Sequence, residues 1–222
     1  MLKADLHVHT RFSKDSTSSI ERIIQHCLGI GIDCLAITDH DTIEGALEMK
    51  HRAPFTIIVS EEILTTQGEI IGYFLNEIVP PSLSPEETVK HIKDQGGLVC
   101  IPHPVDRFRP HSRLKPSALQ RILPDIDIIE VYNSRTYMSK DTDRSLQLAN
   151  KNGLIRSAGS DAHIVEEIGR TYIELPEFEN AEQFLDSLRQ GKIHGQKTST
   201  LIHFYNITNR IRKLADRIIS SV

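Results

Sequence analysis

Short apolar runs rich in β-branched residues alternate with helical periodicity along most of the chain. The runs at residues 4–10, 33–38, 55–60, 70–75, 98–101, 126–131, 154–158 and 171–175 read as strands. Helical segments lie between them. The first starts at Ser18-Ser19-Ile20-Glu21, a capping-box pattern, and stops at Gly29 and Gly31. Others cover residues 42–50, 85–95, 116–122, 139–152 and 181–189, with Pro85 as a start signal and Gly153 as a stop. A turn at Gln67-Gly68 precedes the fourth run. Repeated β-then-α units predict parallel strands with right-handed crossovers. Six or seven units in one domain point to a closed barrel rather than an open sheet, two forms that the pattern itself separates weakly.

Polar chemistry collects where these strands end. Side chains alternate along a strand, so His7 and His9 share one face while Leu6 and Val8 enter apolar packing on the other. Two adjacent imidazoles suit one metal ion. Asp39 and His40, Glu62, His103, Glu130 and Asn133, and Asp161 and His163 follow other strands. Strand ends of a parallel α/β fold converge on one face, and charged groups gathered at an apolar mouth need cations as partners. Plainer readings stand beside these. A lone His-x-His is usually a polar strand face, and Asp39 serves equally well as a helix N-cap. His103 between two prolines also fits a rigid turn. Glu61 and Glu62 cannot both face a site from extended chain, and Glu62 is the better choice. His26, His51, His91, His111, His194 and His203 lie on helices, loops or the tail and read as ordinary histidines. Arg107, Arg109 and Arg135 follow strand ends and suit bidentate contact with phosphate, Arg135 foremost because it follows the strand-end Asn133.

Composition narrows the function. The 222 residues make one domain, or one with a small appendage. A net charge of −4 offers no broad basic field to a phosphate backbone. Five Tyr, seven Phe and no Trp leave little for stacking bases, so long nucleic acid is not an expected partner. Cys27, Cys34 and Cys100 lie in apolar contexts without a Cys-x-x-Cys and read as buried thiols of a reducing compartment. No run approaches membrane-spanning length and Met1 leads directly into a strand, so a cytoplasmic protein is expected. Neither Gly-x-Ser-x-Gly nor a Gly-rich phosphate cradle occurs.

Four stretches in order carry a resemblance: Asp5-Leu6-His7-Val8-His9-Thr10, Ile37-Thr38-Asp39-His40-Asp41-Thr42, Ile101-Pro102-His103-Pro104 and Gly159-Ser160-Asp161-Ala162-His163. Together they resemble the signature motifs of the PHP (polymerase and histidinol phosphatase) superfamily, over residues 3–190. The resemblance implies an α/β fold, a distorted (β/α)7 barrel with a metal site at the C-terminal ends of its strands. It also implies two or three divalent ions (Mn, Fe or Zn) and hydrolysis of phosphoesters with a metal-activated water. By motif, His7, His9, Glu62 and Asp161 would hold one ion, and Asp15, His40 and His163 another. Glu62 would reach toward a third, with His103 and a group from the strand end at residues 130–133. His40 and His103 are the candidate acids for the leaving group, and Asn133, Arg135, Arg107 and Arg109 the candidate substrate contacts.

Two departures from the family pattern stand out. Glu69 replaces a His that many relatives place before the apolar-Gly-Tyr strand, and a carboxylate favours Mn or Fe over Zn. Only Glu130 and Asn133 stand where a further His is common. The segment Ile168-Gly169-Arg170-Thr171 resembles that of small stand-alone phosphoesterases. Expected substrates are a small phosphomonoester, a nucleoside bisphosphate, a cyclic nucleotide diester or a short oligonucleotide. A non-catalytic metal-binding or regulatory module and a metal-dependent amidohydrolase are the rivals. A nearly complete ligand set argues against the first, and the lack of an evident mid-barrel lysine against the second. The barrel is expected over residues 1–195 and a helical tail over 196–222. In that tail Ile207, Ile211, Leu214 and Ile218 recur at helical spacing, which predicts packing on the barrel or on a second copy of the chain. Asn206-Ile207-Thr208 matches a glycosylation acceptor that a cytoplasmic chain would not use.

Overall fold

A computed structural model describes residues 1–197. The tail helix with Ile207, Ile211, Leu214 and Ile218, the Asn206 acceptor pattern and the 196–222 appendage beyond Lys197 lie outside the described residues. The order is β1 (Leu2–Val8), α1 (Ile20–Ile30), β2 (Cys34–Ile37), α2 (Glu44–Arg52), β3 (Thr56–Thr65), β4 (Gly68–Tyr73), α3 (Pro85–Asp94), β5 (Leu98–Ile101) and α4 (Pro116–Ile122). It continues β6 (Ile128–Asn133), α5 (Ser139–Asn152), β7 (Ile155–Gly159), β8 (Thr171–Leu175), α6 (Ala181–Gln190) and β9 (Lys192–Gly195). No described helix is long and apolar enough to cross a membrane.

The strands form one sheet in the order β7-β6-β5-β4-β3-β2-β1-β8-β9. Parallel pairing joins β1 to β2 and β2 to β3, and again β5 to β6 and β6 to β7. The chain leaving β7 then turns back onto β1. Asp161 donates its N–H to the His7 carbonyl at 2.8 Å, and His9 donates to the Ala162 carbonyl at 2.9 Å. These bonds curl β1 to β7 into a nearly closed, distorted (β/α)7 barrel.

Two strands run against the all-parallel expectation. β3 enters β4 through Thr66 and Gln67 and pairs with it antiparallel. A two-residue link makes a hairpin and is too short for a crossover, so β4 must reverse. Gly68 opens β4 at φ 123°, and a Cβ there would meet the Leu114 backbone at 2.5 Å. β8 is antiparallel to both β1 and β9. The link over residues 160–170 holds only a 3-10 turn at Val165–Glu167, so no crossover helix returns the chain to a parallel start.

Apolar side chains form two layers. Ile20, Ile23, Ile37, Met49, Ile92, Ile129 and Ala149 fill the space between the sheet and α1 to α5. Ala4, Leu6, Ala36, Tyr73, Cys100, Ile128 and Ala158 form the inner layer, with Phe184 and Leu188 of α6 packed into it. Leu6 and Val8 do not share a layer as strict alternation predicts; Leu6 joins the inner one and Val8 the outer. The register between β1 and β2 shifts between Asp5 and Val8, and such a bulge resets the alternation. The N-cap of α1 is Ser19 rather than Ser18, its hydroxyl accepting from the Arg22 N–H. Cys27, Cys34 and Cys100 are buried free thiols.

The barrel seam is tightest at Gly159, where a Cβ would stand 2.3 Å from the His7 Cβ and 2.8 Å from its nitrogen. Gly159→Ala should therefore cost about 1–3 kcal/mol through overpacking. Gly29→Ala on α1 meets nothing within 4 Å and should gain up to about 1 kcal/mol from helix propensity. Urea denaturation followed by circular dichroism reads both, and a Gly159→Ala midpoint at or above the wild type contradicts the tight seam.

Candidate metal centre

One mouth of the barrel brings nine predicted side chains to one place: His7, His9, Asp15, His40, Glu62, His103, Asp161 and His163 from near or beyond the C-terminal ends of parallel strands, and Glu69 from the start of the reversed β4. Three overlapping groups have ligand atoms mutually within 4.8 Å. They are His9, Asp15, His40 and His163; His7, His9 and Glu62; and His40, Glu62 and Glu69. Asp161 adjoins the second group, its Oδ1 lying 3.5 Å from His9 Nε2 and 3.8 Å from His7 Nε2. His103 adjoins the third, its Nε2 lying 3.2 Å from Glu62 Oε1 and 3.6 Å from Glu69 Oε2. Glu62 also faces His7, His9 and His40 through Oε2 at 3.4, 3.5 and 3.3 Å, so it stands at the centre.

Local backbone explains these placements. Glu62 and Glu61 alternate along β3, and Glu61 turns away to accept the Val79 N–H at 2.9 Å. Burial pushes the Glu61 carboxyl up to about 8. Asp39 is not the helix cap, since Ile43 occupies the N-cap of α2. Its two oxygens accept the Thr10 N–H and O–H, each at 2.6 Å, and fasten the end of β2 to that of β1. His103 and Asp161 both adopt positive φ, 32° and 56°. Non-glycine residues hold that conformation only where surrounding contacts fix it. Here Glu130 Oε2 accepts the His103 N–H at 2.8 Å, and the His7 carbonyl accepts that of Asp161.

The strand end at residues 130–133 differs in use from the expected contribution to a third ion. Glu130 Oε1 accepts the Nδ1–H of His7 at 2.9 Å, which turns the His7 Nε2 toward Glu62 and Asp161. The Asn133 amide donates to Glu130 at 3.0 Å and to Asp161 at 3.1 Å, and its Oδ1 accepts the Arg135 N–H. Asn133 therefore braces Glu130, Asp161 and the Arg135 backbone with its side-chain amide. Glu69 lies opposite His40 and His103 instead. Among the arginines, Arg109 enters the centre, its Nη2 lying 2.5 Å from Asp161 Oδ2. Arg135 meets His163 Nδ1 and the Asp161 carbonyl. Arg107 turns to Asp141 at 3.0 Å and stays outside the clusters.

Two further carboxylates position the centre. Asp5 accepts the N–H groups of Ser160 at 2.8 Å and Gly169 at 2.9 Å, tying the β7 exit to β1. Glu167 accepts the His163 N–H at 3.0 Å. Asp5 heads the first motif, which was a usable signal. Glu167 sits in a single 3-10 turn with no sequence mark.

Charge and burial fit a cation. Burial opposes ionisation of Glu62 and Asp161, yet His7 and His40 beside the former, and Arg109 and His7 beside the latter, hold both carboxyls well below the usual range. Asp15 is held low in the same way by His163 and His40. Burial, reinforced by His163, pushes His9 down to about 3, so its imidazole is neutral, the ligating form. Burial and the Glu62 charge lift Glu69 to about 7. His7 Nε2, both ring nitrogens of His9, and Nδ1 of His40 and of His103 are buried without a hydrogen-bond partner. Of these, His7 Nε2, His9 Nε2 and His40 Nδ1 lie beside anionic oxygens. A divalent ion satisfies such nitrogens and oxygens together, and a mixed N/O donor set suits Zn, Mn or Fe.

Saturating Mn²⁺ or Zn²⁺ should raise the melting temperature, since an ion bound only by the folded state adds about 2.7 kcal/mol at a hundredfold excess over Kd. EDTA should reverse the shift in a differential scanning measurement. Glu130→Gln should weaken metal affinity about 10- to 100-fold by releasing the His7 ring. Isothermal titration with Mn²⁺ measures this, and unchanged affinity would show that Glu130 does not orient a ligand.

Residues 5–64 match the PHP domain family, and residues 140–193 match a PHP-associated region. The chain is 41% identical over 147 residues to MJ1587, an uncharacterised protein of Methanocaldococcus jannaschii, covering 60% of this chain and 82% of that one. A two-domain protein from Bacteroides vulgatus, containing a predicted PHP-like metal-dependent phosphoesterase, is similar in structure with a TM-score of 0.68 at 18% identity. That match covers 88% of this chain and 65% of the Bacteroides protein. A lesion-specific endonuclease from Pyrococcus furiosus is similar with a TM-score of 0.59 at 16% identity, over 86% of this chain and 57% of the endonuclease. Both solved structures share the barrel fold with this chain. Family match, fold and the succession of strand-end motifs agree: the chain belongs to the PHP superfamily.

Proposed function

We propose that the protein is a metal-dependent hydrolase of small phosphoesters. The observation that carries this reading is the fusion of three His/carboxylate groups through one buried carboxylate, Glu62. His7, His9, Glu62 and Asp161 would hold one divalent ion, Asp15, His40 and His163 a second, and Glu62, Glu69 and His103 a third. Such ions supply polarisation of a phosphoryl oxygen and a water acidic enough to ionise near neutral pH.

The chain's own groups do the rest. Glu130 fixes the His7 ring, and Asn133 holds Glu130 and Asp161 in register. Arg109 and Arg135 reach Asp161 and His163 from two different loops and would aim N–H donors at the non-bridging oxygens of a phosphoryl group. His40 and His103 flank Glu69, and either would protonate the leaving oxygen only in a form that holds no ion, because a ligated imidazole is a poor acid. A net charge of −4 supports a small ester over a long nucleic acid.

Phosphate release from a panel of monoesters and diesters, with Mn, Fe or Zn added, tests the proposal. His9→Ala and Asp161→Asn should each lower kcat/KM at least about 100-fold, the scale of losing one stabilising group in a transition state. Full activity of a folded, metal-stripped His9→Ala protein would overturn the metal-centred reading. Metal binding without turnover favours a non-catalytic module, and C–N hydrolysis without phosphate release favours an amidohydrolase.

A further inference from the structure

Two loops meet at the mouth of the centre, and each carries an exposed aromatic ring. The loop after β5 is fastened to the β3–β4 hairpin, where Ser112 accepts the Glu69 N–H at 2.7 Å and Gln67 accepts the Lys115 N–H at 2.8 Å. From this loop Arg109 reaches Asp161, and Phe108 is its neighbour in the chain. The loop after β6 sends Arg135 to His163, and Tyr137 follows two residues later. Phe108 is 62% exposed and Tyr137 60%, and their rings meet edge to face with centroids 5.8 Å apart.

The rings project while the backbone beneath them is held. Phe108 donates its N–H to the buried Asp106 at 2.9 Å, and Arg107 anchors the next position back to Asp141. The Tyr137 carbonyl accepts from Lys197 Nζ at 3.0 Å. The other large exposed apolar side chains among the described residues are aliphatic or Met: Met1, Leu28, Ile30, Leu47 and Ile78. Leaving two aromatic rings in water, paired, on fixed loops and next to two arginines of the centre, gives up burial that a folded chain normally gains. An edge-to-face pair leaves ring faces free to stack on a planar partner.

We propose that Phe108 and Tyr137 form a specificity clamp that stacks a planar ring, an aryl group or a nucleobase, on the ester side of the substrate. Arg109 and Arg135 then draw the phosphoryl group inward. The clamp rests on the phosphoesterase reading and names the substrate class of that same centre. Protein contact through the rings is the competing use.

Hydrolysis of p-nitrophenyl phosphate and of glycerol phosphate by the manganese-loaded protein gives an aryl-over-alkyl ratio of kcat/KM. Phe108→Ala/Tyr137→Ala should lower that ratio about tenfold, mainly through KM for the aryl ester, as base–aromatic stacking energies imply. Both rings are exposed, so thermal melts should confirm that the variant folds. A second arm needs no turnover: phenylphosphonate and methylphosphonate are titrated calorimetrically into the manganese-loaded protein. The wild type should prefer the phenyl compound, and the double variant should lose that preference. No preference in the wild type, or one retained in the double variant, overturns the clamp. If neither ester is hydrolysed while the preference is present and lost in the variant, the phosphoesterase reading falls and the clamp stands.

Discussion

Glu62 is the residue on which the centre depends. It is 2% exposed and faces His7, His9, His40 and His103 within 3.5 Å. A buried carboxylate without partners costs several kcal/mol, and one ringed by imidazoles is tolerable only if the whole cluster is neutralised. Asp15, Glu69 and Asp161 add further buried carboxyls to the same mouth. Arg109 offsets one of them, which leaves imidazole protonation or divalent ions to balance the others. The cluster is thus costly as a structural core and economical as a cation site.

Around it lies a second set of carboxylates with a different task. Asp5, Asp39, Glu130 and Glu167 accept from backbone N–H groups, joined by the Thr10 hydroxyl at Asp39 and by the His7 ring and Asn133 amide at Glu130. They fix where His7, Thr10, His103 and His163 stand. The positive-φ backbone at His103 and Asp161 is held by these bonds and by the barrel seam. Partners of this kind orient ligands and raise their basicity, so the geometry of the centre is set before any ion arrives.

Much of this was legible in the sequence. Strand positions followed from apolar runs, because burial of β-branched residues dominates strand formation. His7 and His9 stood on one face at the end of the first strand, Glu62, His103, Asp161 and His163 just past others, and a barrel gathers strand ends at one mouth. His40 also followed a strand, whereas the role of Asp15 came from the family resemblance; both lie with His9 and His163. The direction of β4 and β8 was less legible, since alternation reports a strand and not its orientation. The Gln67-Gly68 turn carried the signal for β4, as a link of that length forces a hairpin.

The split between Glu61 and Glu62 needed only the period of two along β3. The roles of Asp39, Glu130, Asn133, Arg107 and Arg109 did not follow from sequence, because each depends on what another strand or loop brings within 3 Å or so of it. Asp39 meets Thr10, Glu130 meets His7 and His103, and Arg109 meets Asp161. The sequence by itself determined which residue types stand at the strand ends, since periodicity and chain order are local properties. Only the tertiary structure decided which of them face one another, because barrel closure at the β1–β7 seam joins residues more than 150 positions apart, as in the Asp161 bond to His7.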